Sequence, residues 1–191
     1  MDEIVKAALR KWPNVPDCRG WLGLDARGDW YMRDERTQAA GGFVKARGSR
    51  IDHAALRAFI ERNYGADAQG CWFFQNGPQR VYVELAAAPW VWRVGADDAH
   101  ALHTHTGLNA RWRAAWTDEQ GRLFCDSELG LGLVHTQDMV HAAHALESGA
   151  WSLSGEMPFA QLPARFGYVL SPFDAPPPAP TGAKKPAQGR L

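Results

Sequence analysis

The chain has 191 residues, of which 46% are hydrophobic and nine are tryptophans. Lysine plus arginine equals aspartate plus glutamate at 21 each, so no overall charge steers the protein towards nucleic acid or an anionic membrane. This length suits one well-buried domain or two small ones that share an interface, and the composition excludes disorder for most of the chain.

The cysteines and the hydropathy indicate the cellular compartment in which we expect the protein. Cys18, Cys71 and Cys125 lie far apart and form no C-x-x-C pair, so neither a disulfide framework nor a thiolate zinc site is indicated. No apolar run approaches the ~18 residues that a spanning helix needs. We therefore expect a cytoplasmic protein with neither a membrane nor a nucleic acid as its partner.

The first quarter of the chain predicts a helix, a hairpin and a second helix. Residues 2–11 have an amphipathic pattern that ends at a run containing two prolines. A hairpin is predicted at 20–33, and the polar, glycine-bearing residues 34–48 predict a loop or a frayed strand. Ser49-Arg50-Ile51-Asp52 has the form of a capping box and predicts a helix from there to about Asn63.

The middle of the chain gives the clearest strand signals. Residues 71–74 and 80–85 are rich in β-branched and aromatic side chains and are separated by a turn that contains Asn-Gly, which predicts a second hairpin. In its return strand, alternation places Val81, Val83 and Leu85 on one side and Arg80, Tyr82 and Glu84 on the other. Residues 90–94 predict a further strand.

The following region predicts more strands and the second main helix. Residues 111–116 read as a strand that leads into a third hairpin, and residues 131–134 read as one more strand. Thr136 is predicted to cap a helix that continues to about Glu147, with Gly149 just beyond its end.

One short phrase occurs three times, at 25–31, 67–73 and 118–124, each time with Asp first and Gly fourth. An Asp carboxylate can accept the backbone N–H groups of a type I turn, and Gly tolerates the positive φ that closes a bulged hairpin. The phrase therefore predicts hairpin turns and carries no chemistry of its own.

These elements predict an α+β fold of antiparallel β hairpins packed with two main helices. A hairpin followed by a helix occurs at about 20–63 and again at 112–147, which indicates a degenerate internal duplication. We predict an N-terminal half at 1–98, a C-terminal half of the same globular unit at 99–173, and a flexible tail rich in Pro and Ala at 174–191.

Several runs resemble a family of proteobacterial proteins that is known only as a domain of unknown function. They are Trp12-Pro13-Asn14-Val15-Pro16, the segment from Gly20 to Trp30, Trp72-Phe73-Phe74-Gln75-Asn76-Gly77-Pro78-Gln79-Arg80-Val81-Tyr82-Val83 and Leu102-His103-Thr104. The resemblance covers about residues 11–150 and implies no particular activity.

The order of the elements is also similar to a second bacterial family of unknown function. Its members have a duplicated α+β core whose C-terminal half resembles a pleckstrin-homology barrel. That resemblance implies a small barrel-like C-terminal half, a ligand site at the junction of the halves and a role in signalling.

Histidines are the candidate metal ligands. His100, His103 and His105 form an H-x-x-H-x-H pattern, and His141 and His144 lie three apart on the second main helix. Imidazoles are common ligands of zinc and iron, but no H-E-x-x-H motif accompanies them. They are either a metal site or ordinary surface and hydrogen-bonding histidines.

Arginines interleaved with tryptophans at 92–93 and 111–113 are suited to stacking on an anionic ligand. Alternation in a strand, with Trp inside and Arg outside, explains the same pattern without a ligand. The candidate ligand-binding residues are Arg80, Arg93, His103, His105 and Arg111.

The leading hypothesis is a non-catalytic protein without a cofactor that binds a small anionic ligand or a protein partner at the junction of its halves, in a regulatory role. The alternative is an enzyme that depends on zinc or iron bound by His100, His103 and His105, with His141 or His144 as a further ligand. A third possibility is a structural subunit that buries exposed aromatic side chains against another chain.

Overall fold

The structure is a computed structural model that describes residues 1–96 and 98–174. The predicted tail lies outside the described residues except for Asp174. Within the described ranges, no helix has the length and apolar character that crossing a membrane requires.

The first half contains one open sheet of six strands and three helices. Its helices are α1 Glu3–Lys11, α2 Glu35–Ala39 and α3 Ala54–Arg62. Its strands are β1 Cys18–Leu24, β2 Trp30–Met32, β3 Ser49–Arg50, β4 Tyr64–Ala66, β5 Trp72–Asn76 and β6 Gln79–Leu85. The strand order is β3-β2-β1-β6-β5-β4, and only β1 and β6 run parallel within it.

The second half, taken in the structure as the described chain from Trp90 onwards, contains a closed barrel. Its strands are β7 Trp90–Val94, β8 Ala101–Thr104, β9 Asn109–Thr117, β10 Leu123–Ser127 and β11 Gly130–Val134, followed by β12 Leu153–Glu156. Strands β7 to β11 pair in chain order, and β11 then pairs with β7, so five strands close on themselves. Strand β12 adds to one edge of β9. The helices are α4 Met139–Glu147 and α5 Leu162–Phe166.

This architecture confirms the α+β prediction and the barrel-like second half. A hairpin series precedes a nine-residue helix in both halves, α3 in the first and α4 in the second. The two halves differ in one respect: the sheet of the first half is open, whereas five strands of the second half close into a barrel.

Alternation along the barrel strands separates two cores. Side chains such as Trp92, Leu102 and Cys125 fill the barrel together with Ala142 and Ala145 of α4. The intervening residues of β10 and β11, which are Phe124, Leu131 and Leu133, face outwards and pack against Leu24, Trp30 and Val83 of the open sheet. The two halves therefore share a continuous apolar core.

The final described segment returns to the first half. Leu85 N donates to Leu170 O at 2.8 Å and Val169 N to Gly70 O at 3.1 Å. The Tyr168 hydroxyl donates to Ala87 O at 3.1 Å. We call residues 168–174 the return segment; it ties the end of the second half to β6 and to the β4–β5 turn.

Two local predictions in the first half were wrong. Residues 34–48 contain α2, which Asp34 caps by accepting from Thr37 N at 2.8 Å. Ser49 does not begin a helix, because Ser49–Arg50 pairs with β2. The cap of α3 is instead His53, whose Nδ1 accepts from Leu56 N at 3.2 Å.

The start of the second main helix also differs from the prediction. Thr136 does not cap it: Thr136–Asp138 forms a 3₁₀ turn, and α4 begins at Met139. The side chain that caps this turn is His135, whose Nδ1 accepts from Gln137 N at 3.1 Å.

The three Asp-x-x-Gly turns are confirmed, and they join β1 to β2, β4 to β5 and β9 to β10. In each, one carboxylate oxygen of the Asp accepts from the N–H groups two and four residues on, at 2.8–3.0 Å. The glycines Gly28, Gly70 and Gly121 have φ of 83°, 80° and 71°.

We predict that these equivalent glycines differ in their tolerance of alanine. A Cβ on Gly121 would meet no atom within 4 Å, whereas on Gly70 it would lie 2.5 Å from the backbone oxygen of Gly167. Gly121→Ala should cost about 1 kcal/mol for the positive φ. Gly70→Ala should cost about 1–3 kcal/mol more, because the backbone at Gly167 and Tyr168 must move. Urea unfolding measures both, and equal costs would contradict the close contact.

Candidate functional site

The junction of the halves is filled by aromatic side chains. The rings of Trp30, Tyr64 and Trp72 in the open sheet contact Trp90 and His105 of the barrel, with ring centroids 4.8–5.8 Å apart across the junction. The Tyr64 hydroxyl donates to Pro89 O at 3.1 Å. We call these five residues the aromatic seam.

His105 is half-buried as a residue, but its ring lies within this seam. Its Nδ1 accepts from Val91 N at 3.3 Å, and its Nε2 is buried without a hydrogen-bond partner. Burial lowers the pKa of His105 to about 3, because the charged imidazolium would lose its hydration among the rings. His105 is therefore neutral and packed.

The other predicted ligand-binding residues lie on outer surfaces. Arg93, His103 and Arg111 are exposed on neighbouring barrel strands, and Arg93 is the register partner of His103. Arg80 lies on β6 in the first half, 4.6 Å from the centroid of the Phe73 ring. The structure thus brings three of the five together on the barrel surface and separates them from Arg80 and His105.

Two of these arginines are already paired with carboxylates. Arg93 donates to both carboxylate oxygens of Asp138, with Nη2 to Oδ1 at 3.0 Å, and this contact lowers the pKa of Asp138. Arg111 Nη1 donates to Asp98 at 2.7 Å. Arg111 and His103 also line a shallow depression of about 270 Å³.

The candidate metal ligands are spread apart. His100 packs against the Trp112 ring, the Nδ1 of His103 lies 2.7 Å from Asn109 Oδ1, and His105 is in the seam. His141 and His144 lie on α4. In the described ranges, no group of three or more His, Cys, Asp or Glu side chains is placed to hold a metal ion.

A cleft with unpaired buried charge lies on the outer face of the open sheet. Glu84 of β6 is only 5% exposed, yet it lines two adjoining cavities of about 410 and 440 Å³. Gly42 and Ser171 line both cavities as well. We call this region the Glu84 cleft.

The floor of the cleft follows from the strand register. Gly23 of β1 is the register partner of both Glu84 and Tyr31, so the three lie on one face. A Cβ on Gly23 would lie 2.3 Å from the Phe43 ring, so this glycine provides the space in which the ring sits. Phe43 also contacts the Tyr31 ring edge-on at 5.9 Å.

Two covering segments form the walls. One is the loop 41–45, and the other is the return segment, which contributes Leu170, Ser171 and Phe173. Arg19 Nη1 donates to Pro172 O at 2.9 Å and fixes the second wall to β1.

Arg33 fixes the first wall. This residue is 3% exposed, and its guanidinium donates to the backbone carbonyls of Gly20, Gly41 and Ala46. It lines the larger cavity, but backbone carbonyls of β1 and of the covering loop engage its three donor nitrogens.

Glu84 has no cation in direct contact. Among the ion pairs of the described residues, none within 4.0 Å includes Glu84. Burial raises the pKa of Glu84, and the carboxylate of Asp174 adds to the rise; a hydrogen bond with Ser171 and the charge of Arg33 oppose it. A buried carboxyl that faces a cavity can accept hydrogen bonds from a ligand or neutralise a positive charge.

Sequence reasoning missed both Glu84 and Arg33 as site residues. Alternation placed Glu84 correctly on the face of Tyr82, but that face was not recognised as covered. The available signal was a single carboxylate inside the apolar run 81–88.

The comparisons with known proteins identify a family. Residues 1–173 match the model of the DUF2944 family, whose description is "Protein of unknown function (DUF2946)". The chain belongs to this family, which confirms the resemblance drawn from residues 11–150. No curated protein matches the chain.

Two solved structures are similar in shape, and both are DUF1285 family proteins. The one from Silicibacter pomeroyi DSS-3 has a TM-score of 0.44 and 14% identity, over 74% of this chain and 83% of that chain. The one from Shewanella baltica OS155 has a TM-score of 0.40 and 14% identity, over 65% of this chain and 91% of that chain.

The buried His105 predicts sensitivity to acid. In the unfolded chain, His105 takes up a proton once the pH falls below 6.5, its usual pKa. In the folded protein it does so only near pH 3. The free energy of unfolding therefore decreases as the pH drops through 6.5. Between pH 7 and 5 the loss should be about 2 kcal/mol. His105→Leu should remove most of it in urea unfolding, and the exposed control His144→Gln should not. An unchanged pH dependence in His105→Leu would contradict this assignment.

Glu84 predicts the opposite effect on stability. Its folded pKa is raised, so the folded state holds the proton more tightly and loses stability as the pH rises above the usual pKa. Glu84→Gln keeps the shape and removes the charge, and at pH 7 it should stabilise by about 1 kcal/mol, or ~3 °C in Tm. Thermal unfolding at pH 7 and pH 4 tests this, since the gain should shrink at pH 4. A destabilised Glu84→Gln variant at pH 7 would show that the carboxylate is already satisfied.

Proposed function

We propose that this member of the DUF2944 family is a non-catalytic binding protein that takes a small molecule in the Glu84 cleft. The observation that carries the proposal is the carboxyl of Glu84, a residue that is only 5% exposed and lines two cavities, and that makes no ion pair within 4.0 Å among the described residues. Natural proteins seldom bury a charge without a partner unless the site uses it. The combined space is in the usual range for small-molecule sites.

The proposed site differs in place and chemistry from the junction site expected from the sequence. Close aromatic packing occupies the junction, and Asp138 and Asp98 neutralise Arg93 and Arg111. The cleft offers instead one buried carboxyl, an apolar wall and backbone groups of two covering segments. A regulatory role stays a prediction from the sequence.

We assign Ser171 a structural part in this site. Its Oγ accepts from Phe173 N at 3.3 Å, a contact that shapes the turn of the return segment. The Ser171 hydroxyl also hydrogen-bonds to the Glu84 carboxyl, and this contact lowers the pKa of Glu84. Both contacts suit a residue that holds the wall in place.

A blocking substitution tests the proposal. Gly42 lines both cavities, its φ is not in the left-handed region, and an added Cβ meets no atom within 4 Å. Gly42→Leu should therefore put an isobutyl group at the cleft at little cost in stability. Gly95→Leu is the matched control, since Gly95 lies after β7 in the other half and a Cβ there is equally free of contacts.

The measurement is a screen of a small-molecule library by ligand-observed NMR, together with native mass spectrometry of untagged protein. We expect compounds that bind the natural chain and Gly95→Leu but not Gly42→Leu. A library without binders, or binders that Gly42→Leu retains at full affinity, would overturn the cleft as the site.

A further inference from the structure

We propose that the Glu84 cleft selects an organic cation, a primary ammonium or a guanidinium group carried on a small apolar body. This inference rests on the proposed function and adds the chemical class of the ligand. The ammonium group would pair with the Glu84 carboxylate, and the apolar body would lie against the wall of the smaller cavity.

The charges around the cleft favour a cation. The Glu84 carboxylate has no ion-pair partner within 4.0 Å among the described residues, and a second carboxylate, that of Asp174, lines the same cavity. Arg33 is the buried cation of the region, but three backbone carbonyls engage its donors. An anion would meet two carboxylates and few free donors, whereas an ammonium group supplies the partner that Glu84 lacks.

Lys45 is the remaining cation at the cleft. It is exposed and lines the smaller cavity, and its aliphatic chain lies along Gly41, where a Cβ would be 3.4 Å from Lys45 Cδ. It makes no ion pair with Glu84. An exposed lysine stays hydrated and is a weak competitor for a buried carboxylate.

The wall of the smaller cavity suits an apolar body. Phe43, Leu85, Phe159 and Leu170 line it together with Glu84. Aromatic faces also attract a cation where water is excluded. A site of this composition selects ligands by their charge at the Glu84 end and by their shape along the apolar wall.

Proton release provides a readout specific to this ligand class. Burial and Asp174 keep the pKa of Glu84 raised, and a bound cation would lower it again. Binding of an ammonium compound below the raised pKa should therefore release a proton from the protein. A neutral or anionic ligand would not release one from Glu84.

The test uses three probes that share one ring and differ in charge: benzylammonium, benzyl alcohol and benzoate. Isothermal titration calorimetry at pH 7 should give at least tenfold tighter binding of benzylammonium than of the other two. Glu84→Gln should lower its affinity at least tenfold, and the exposed carboxylate control Glu147→Gln should not. At pH 4.5, the usual pKa of a glutamate side chain and therefore below the raised pKa of Glu84, titration in two buffers of different ionisation enthalpy should show the released proton.

The outcomes separate the two claims. In one outcome, benzoate or benzyl alcohol binds as tightly as benzylammonium or more tightly, and Gly42→Leu abolishes that binding. This result would overturn the cation class and keep the cleft as a binding site. Unchanged benzylammonium affinity in Glu84→Gln would also overturn the cation class, and it would keep the cleft as a binding site only if Gly42→Leu abolishes that binding. Failure of benzylammonium to bind also overturns the inference, and the proposed function falls with it only if the library screen yields no binder that depends on Gly42.

Discussion

The packing of Trp30, Tyr64 and Trp72 against Trp90 and His105 holds the open sheet and the barrel in one orientation. Each aromatic pair adds about 0.5–1.5 kcal/mol beyond its buried area. The seam sets how the second half lies against the first, and the return segment runs from the second half to β6, where it hydrogen-bonds. It forms one wall of the Glu84 cleft there.

The cleft combines rigid walls with an unfavourable charge. Arg33 donates to the backbone carbonyls of Gly20, Gly41 and Ala46. These bonds fix the covering loop to β1 and leave Glu84 without an ion-pair partner within 4.0 Å among the described residues. An isolated buried carboxylate costs several kcal/mol unless it takes up a proton. A chain selected for stability alone would replace it, so its position at two cavities favours a use in binding over a structural role.

The sequence predicted elements whose determinants are local. The Asp-x-x-Gly turns were recognised because the carboxylate, the N–H groups and the glycine that form them lie within five residues. The capping box at Ser49 failed because pairing of Ser49 and Arg50 with β2 satisfies the backbone, and His53 takes the cap. The predicted cap at Thr136 was wrong as well, because His135 caps the 3₁₀ turn that precedes α4. In both places a histidine accepts the N–H, a role that the usual preference for Ser, Thr, Asp and Asn at N-caps does not suggest.

The candidate site could be predicted only to the level of a strand face. Alternation along β6 assigns Glu84 to the face opposite Val83, but the segments that bury it lie about 40 residues before it and 86 after it, and no local pattern encodes such contacts. The same limit explains His105, whose chemistry suggested a ligand although Gly28, Trp30 and Tyr64 enclose it. Burial decides what each side chain does: it makes His105 a neutral packing residue and gives Glu84 a charge that a ligand can use.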